Sequence, residues 1–175
     1  MSSFKIVHGS CIEEQVDAIV NAANKYLASG SGVCGAIFKK AGYEELNLAC
    51  RKIKTPLRDG DAVITDAFNI DSAKYIIHAV GPDFNNSNSS INDLFRAYYN
   101  SLLVLKDHNL HSISFPLISS GIYGGRLTNP AEESARQCLA AYNQFINNFN
   151  YEINVTLCAY STDEFNKIKG IINLN

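Results

Sequence analysis

Val16-Asp17-Ala18-Ile19-Val20-Asn21-Ala22-Ala23-Asn24 runs from apolar, strand-forming residues into two small residues framed by amides. The stretch Ala18–Asn21 does not alternate with polar side chains, the pattern of a strand covered on both faces. Runs of similar character predict further strands at Phe4–Val7, Asp61–Ala67, Tyr75–Ala79, Ser112–Pro116 and Ile153–Ala159. Between them, Ile91, Leu94, Phe95, Tyr98, Leu102 and Leu105 recur at helical spacing. So do Ala135, Cys138, Leu139, Tyr142, Phe145, Ile146 and Phe149, after Asn129-Pro130 as N-cap and first helical residue. Alternating strands and helices predict an α/β fold, a mainly parallel sheet with helices on both faces. Ligands of such sheets lie beyond the carboxyl ends of the strands. The informative loops are therefore those after Ala18–Asn21, Tyr75–Ala79, Ser112–Pro116 and the last strand.

Two of these loops are built for close approach. After Asn24 comes Gly30-Ser31-Gly32-Val33-Cys34-Gly35, leading into a helix. Small residues let backbone N–H groups reach a ligand, and the helix adds a positive N-terminus. Ser119-Ser120-Gly121-Ile122-Tyr123-Gly124-Gly125 is a second turn of the same character. Facing one another across strand ends, the pair would suit a diphosphate; taken singly, each also reads as a tight turn serving the chain path. No G-K-[ST] follows the glycines, and no G-x-G-x-x-G with an acidic partner is present, so two common nucleotide motifs fail on spacing.

Composition sets the bounds. The 175 residues suit one domain spanning 1–175, with 46% apolar and 18% charged residues. A net charge of −2 gives no basic surplus, which disfavours nucleic acid as partner and makes any phosphate site local. Asn85 to Ser90 is too short for a linker and reads as a surface loop. No apolar run reaches membrane-spanning length, and the start lacks a signal-peptide pattern. Cys11, Cys34, Cys50, Cys138 and Cys158 are widely spaced without a C-x-x-C pair, fitting reduced thiols and a cytoplasmic location. His108 and His111 have a metal-like gap but sit in a stretch that reads as a helix end, so no metal is expected. His78, in an apolar strand, is expected to be a hydrogen-bonded core residue, with Asn21 supporting its loop.

Four blocks in order carry a resemblance: Val16–Asn24, the stretch Gly30–Gly42, Ile77-His78-Ala79-Val80-Gly81-Pro82, and Phe115–Gly124. Over Lys5 to Ile172 the chain resembles the macro domain family. The resemblance implies a three-layer α/β/α fold with a six-stranded, mixed, mostly parallel sheet and ADP-ribose across the strand ends. By the same resemblance Ala23 and Asn24 border the distal ribose, with the Asn24 amide donating to one hydroxyl and accepting from another. Gly32, Val33 and the turn Ser119, Ser120, Gly121, Ile122, Tyr123 and Gly124 match the segments that clasp the diphosphate. Tyr123 matches the aromatic over the distal ribose, and Tyr160 the one beside the adenine.

Two positions depart from the family pattern. Ser10 stands where an aspartate usually accepts from the adenine amino group, so weaker adenine selection is expected, with the Cys11 backbone as a substitute. Cys34 stands where many hydrolytic members carry an aspartate thought to orient water. A neutral thiol is a poor base at pH 7. A helix N-terminus favours a thiolate, but no histidine partner can be identified, so the expected role of Cys34 is tight loop packing. The candidate catalytic residues are thus Asn24, Gly32 and Cys34, with no cofactor.

Two functions compete. One is hydrolysis of ADP-ribosyl esters on protein, or deacetylation of O-acetyl-ADP-ribose, by water positioned on the substrate's own phosphate. The other is a non-catalytic reader of ADP-ribose or ADP-ribosylated protein. A domain with no targeting module favours the enzyme; Cys34 favours the reader.

Overall fold

The computed structural model describes residues 1–174. Its elements run β1 (Ser3–His8), β2 (Ala18–Ala23), α1 (Gly32–Ala41), α2 (Tyr43–Arg51), β3 (Ala62–Asp66), β4 (Tyr75–Val80), α3 (Ile91–Asp107), β5 (Ser112–Phe115), α4 (Pro130–Asn148), β6 (Asn154–Ala159) and α5 (Thr162–Ile168). Short 3-10 turns occupy Cys11–Glu13, Ile122–Gly124 and Ile171–Leu174. The six strands form one sheet in the order β1-β6-β5-β2-β4-β3. Only the β3–β4 pairing is antiparallel. The sheet is therefore mixed and mostly parallel, as expected.

Strand period 2 explains why these runs do not alternate. Ala18 and Val20 of β2 point into a core shared with Tyr98, Leu102, Phe115 and Phe145. Ile19 and Ala23 point the other way, against Ile37, Phe38 and Leu46. Each large side chain fully buried this way contributes about 1.5–3 kcal/mol. The helices α3 and α4 cover one face, α1 and α2 the other, so β2 and β4 are buried on both sides along most of their length.

Local signals fix the ends. Ser90 Oγ accepts from Asp93 N at 3.2 Å to cap α3. Asn129 occupies the N-cap position of α4 ahead of Pro130, but its side chain makes no capping bond. Periodicity does not predict α2 or α5, which are only 9 and 7 residues long. Ser161 and Glu164 form a capping box that starts α5.

Asn85–Asn88 is exposed, as expected of a loop, while Ser89 is buried. Arg126 pins the segment by donating to the carbonyls of Phe84, Asn86 and Ser89 and to Ser89 Oγ. His108 closes α3 with Nδ1 at 2.9 Å from Val104 O, and His111 stacks on Tyr151, so each ring has a local use. All five cysteines are buried and unpaired. Among the described residues no helix is long and apolar enough to cross a membrane.

Candidate functional site

The carboxyl ends of β1, β6, β5 and β2 open into one cleft of about 490 Å³. At its β1–β6 end lie Gly9, Ser10, Cys11, Cys158 and Tyr160; Pro116 and Leu117 follow β5; Ala22, Ala23 and Asn24 follow β2. The two glycine-rich turns, Gly30–Cys34 and Ser119–Tyr123, both line this cleft. The loop after β4 does not, contrary to expectation. It passes behind the second turn instead, where Pro82 O accepts from Ser119 Oγ at 2.6 Å.

Glycine is needed at Gly32, where φ is +62°, and a Cβ there or on Gly9 or Gly121 would meet no protein atom within 4 Å. Those glycines do not serve packing; they leave room in the cleft. Ser31 is the N-cap of α1, yet its side chain makes no capping bond. The N–H groups of Gly32, Val33 and Cys34, which have no intrahelical acceptor, thus begin α1 at the cleft wall. Among the described lining residues there is no Lys, Arg or His. An anion in this cleft meets backbone dipoles rather than cations.

Each predicted side chain has a definite commitment. Asn24 Oδ1 accepts from Tyr26 N and Ala28 N, both at 3.1 Å, and Nδ2 donates to Ala28 O at 2.9 Å. The amide closes its own loop and retains one free N–H. Ser10 Oγ accepts from Ile12 N at 3.3 Å. The Cys11 carbonyl is taken by Ser114 Oγ and Glu14 N. Ser120 Oγ donates to Leu117 O at 2.8 Å. Ser119, with φ at +60°, turns its hydroxyl away from the cleft. Gly124 is not brought to the lining; it is buried, where a Cβ would strike Pro130. Ile122, Tyr123 and Tyr160 stand on the rim, 82%, 37% and 74% exposed. Apolar surface so exposed at a cleft mouth suits a cover for a bound ligand.

Burial disfavours the thiolate form of the cysteines at the cleft. Burial pushes Cys34 above the ordinary thiol value, although nearby Gly30 and Asn21 partly oppose it. Burial pushes Cys11 up to about 12. Cys34 Sγ lies 3.8 Å from Ala28 O, inside the first turn. The side chain is buried there among Ile37, Phe38 and Ala23 of the second core cluster.

Beneath that turn runs a buried polar row. Asn21 and His78 are register partners on β2 and β4, with Asn21 Nδ2 3.0 Å from His78 Nδ1. Thr65 Oγ1 lies 2.9 Å from His78 Nε2 and donates to Asp66 O at 3.1 Å. Having spent its hydrogen, Thr65 must accept from Nε2–H, so Nδ1 accepts from Asn21. The ring is neutral, and burial lowers its pKa to about 4. Among the described residues Asn21 Oδ1 has no partner.

Glu164, absent from the sequence-based expectations, also lines the cleft. The signal available was the capping pattern Ser161-x-x-Glu164 directly after the last strand.

Comparison with known proteins agrees with this fold. A family model described as the macro domain matches residues 20–138. A macro domain-containing protein of Caldanaerobacter subterraneus is 41% identical over 81% of this chain and 80% of its own length. A Salmonella typhimurium protein named O-acetyl-ADP-ribose deacetylase is 36% identical over 93% of this chain and 89% of its own. Among solved structures, the Oceanobacillus iheyensis macrodomain with ADP superposes with a TM-score of 0.86 at 34% identity, covering 97% of this chain and 89% of that one. The Trypanosoma brucei macrodomain in complex with ADP-ribose gives 0.83 at 27% identity, covering 97% and 68%.

Proposed function

The chain belongs to the macro domain family, and from that premise we propose that its cleft binds ADP-ribose and hydrolyses an ADP-ribosyl ester. One observation carries the reading: the uncapped N-terminus of α1 and the Gly121 turn line one cleft that has no basic side chain among its described residues. A diphosphate is the ligand group that such facing amides neutralise. The β1–β6 end, with Tyr160, then takes the adenine, and the β2 end takes the distal ribose. There the remaining N–H of Asn24 donates to a ribose hydroxyl, and Ile122 and Tyr123 cover the ligand.

No protein base is required in this scheme. Cys34 holds its proton at neutral pH, and the reaction uses water placed by a phosphate oxygen. Water oxygen attacks the anomeric carbon, the bond to the carboxylate breaks, and the carboxylate leaves with the electron pair. The water proton passes through the phosphate oxygen to solvent. The amides of Gly32, Val33 and the second turn hold the diphosphate so that water and carbon meet in line. The deacetylase name of the Salmonella relative supports ester chemistry for this cleft.

Cys34 supports a second reading, a reader that holds ADP-ribose without turnover. Incubation with a radiolabelled, auto-modified ADP-ribosyltransferase separates the two. Label released in step with added protein is the expected result; undiminished label at stoichiometric protein overturns hydrolysis and leaves the reader. Calorimetry tests the ligand itself, with ADP-ribose expected to bind far more tightly than AMP.

A further inference from the structure

Glu164 is the one carboxylate among the described residues that line the cleft. It sits between the β1–β6 end and the second glycine turn, one helical turn after Tyr160. Its Oε1 receives Ser161 Oγ at 3.2 Å and Ser161 N at 3.5 Å, completing the capping box. Among the described residues the one hydrogen-bonding neighbour of its Oε2 is Ser120 Oγ at 3.5 Å. That hydroxyl has one hydrogen and already donates it to Leu117 O at 2.8 Å. Oε2 therefore has no committed donor. Across the same end, Ser10 offers a neutral hydroxyl that already takes Ile12 N on one lone pair. Among the described lining residues Glu164 is the charged acceptor at the nucleoside half of the cleft.

A carboxylate beside an anion cradle repels phosphate, so its favourable partner must be a donor carried by the ligand. A ribose diol fits: two hydroxyls on one rigid ring, offered to one carboxylate, make charge-assisted hydrogen bonds. Dinucleotide-binding folds use the same chemistry, where an acidic residue takes a ribose 2′-hydroxyl and a basic one admits a 2′-phosphate. Resting on the reading of the cleft as an ADP-ribose site, we propose that Glu164 binds the free hydroxyls of the adenosine ribose and rejects ligands phosphorylated there.

Calorimetry with ADP-ribose and 2′-phospho-ADP-ribose tests this on the unsubstituted protein, Glu164→Gln and Glu164→Lys. Glutamine serves at this capping position, so the start of α5 survives; unchanged melting temperatures verify the fold. The unsubstituted protein should prefer ADP-ribose by about thirtyfold or more, the scale of one close like-charge contact. Glu164→Gln should narrow the preference to about threefold, and Glu164→Lys should reverse it, with the change coming mainly from the phosphorylated ligand. An equal preference in the Gln and unsubstituted proteins overturns the role of Glu164 while leaving the cleft reading intact. A failure of the unsubstituted protein to bind ADP-ribose at all overturns both.

Discussion

The turn from Ser119 to Gly125 is tied to a second segment of chain behind it, whereas the turn from Ala28 to Val33 is tied mainly to itself. Behind the former, Phe84 N donates to Tyr123 O at 2.8 Å, Asn85 Nδ2 to Ile122 O at 2.8 Å, and Ser119 Oγ to Pro82 O. Arg126 fastens that backing segment in turn. The latter hangs on the Asn24 amide, the weak Cys34 contact to Ala28 O, and the hydroxyl pair of Ser29 and Tyr43. One wall of the cleft is thus braced from behind, and the other, held mostly by its own loop, is the one expected to shift when a ligand arrives. Preorganisation of one wall lowers the ordering cost of binding, while the adjustable wall carries the N-terminal end of α1.

The largest effect should come from attacking the braced wall. Gly125 has φ at +43°, and a Cβ on it would collide with the backbone of Phe84. Gly125→Val should cost about 3 kcal/mol or more in denaturant titration. The same variant should lose ADP-ribose binding, because the turn must leave its backing.

The polar row under the adjustable wall gives the next effect, through pH. The pKa of His78 is depressed in the folded state to about 4, from 6.5. The unfolded chain therefore binds the proton first, and stability falls as pH drops from about 6.5 to 4. The fall from this group should be roughly 3 kcal/mol, and His78→Gln should lose that part of the slope. An identical pH dependence in both proteins would remove His78 from the support of the wall.

Releasing the adjustable wall at its own anchor should act on ligand more than on fold. Asn24→Ala removes three hydrogen bonds in an exposed loop, costing about 1 kcal/mol of stability. ADP-ribose affinity should weaken about tenfold, equivalent to about 1.4 kcal/mol. Unaltered affinity and turnover would remove Asn24 from the site. The smallest effect belongs to Cys34→Ala: roughly 1 kcal/mol or less of stability for a small buried side chain, and turnover nearly unchanged.

The sheet was legible because double-sided burial writes itself as apolar runs without alternation, as in Ala18–Val20 and, interrupted only by His78, Ile76–Val80. The glycine turns were legible through composition, and the four co-ordered motifs identified them together. Less was visible in the helices α2 and α5, whose few turns carry little periodicity. The commitments of single polar atoms were not visible at all. Nothing in the sequence says that the Ser119 hydroxyl turns toward Pro82 or that Asn24 spends most of its amide on its own loop. Those outcomes depend on loop backbone angles, such as the positive φ of Ser119, that tertiary contacts decide. Glu164 was overlooked for a related reason: its capping pattern signals a helix start, and only the chain path beside Ser120 turns it toward the cleft.

The interior placement of every cysteine sulfur gives the molecule a built-in clock. An alkylating reagent added to the folded chain can react only as fast as the chain exposes a thiol. Cys34, under the adjustable wall, should be modified whenever that wall swings out. Cys138, packed between α4 and the sheet, must wait for the whole domain to come apart. The ratio of the two labelling rates, with and without ADP-ribose, reads the mobility of one wall directly against the stability of everything else.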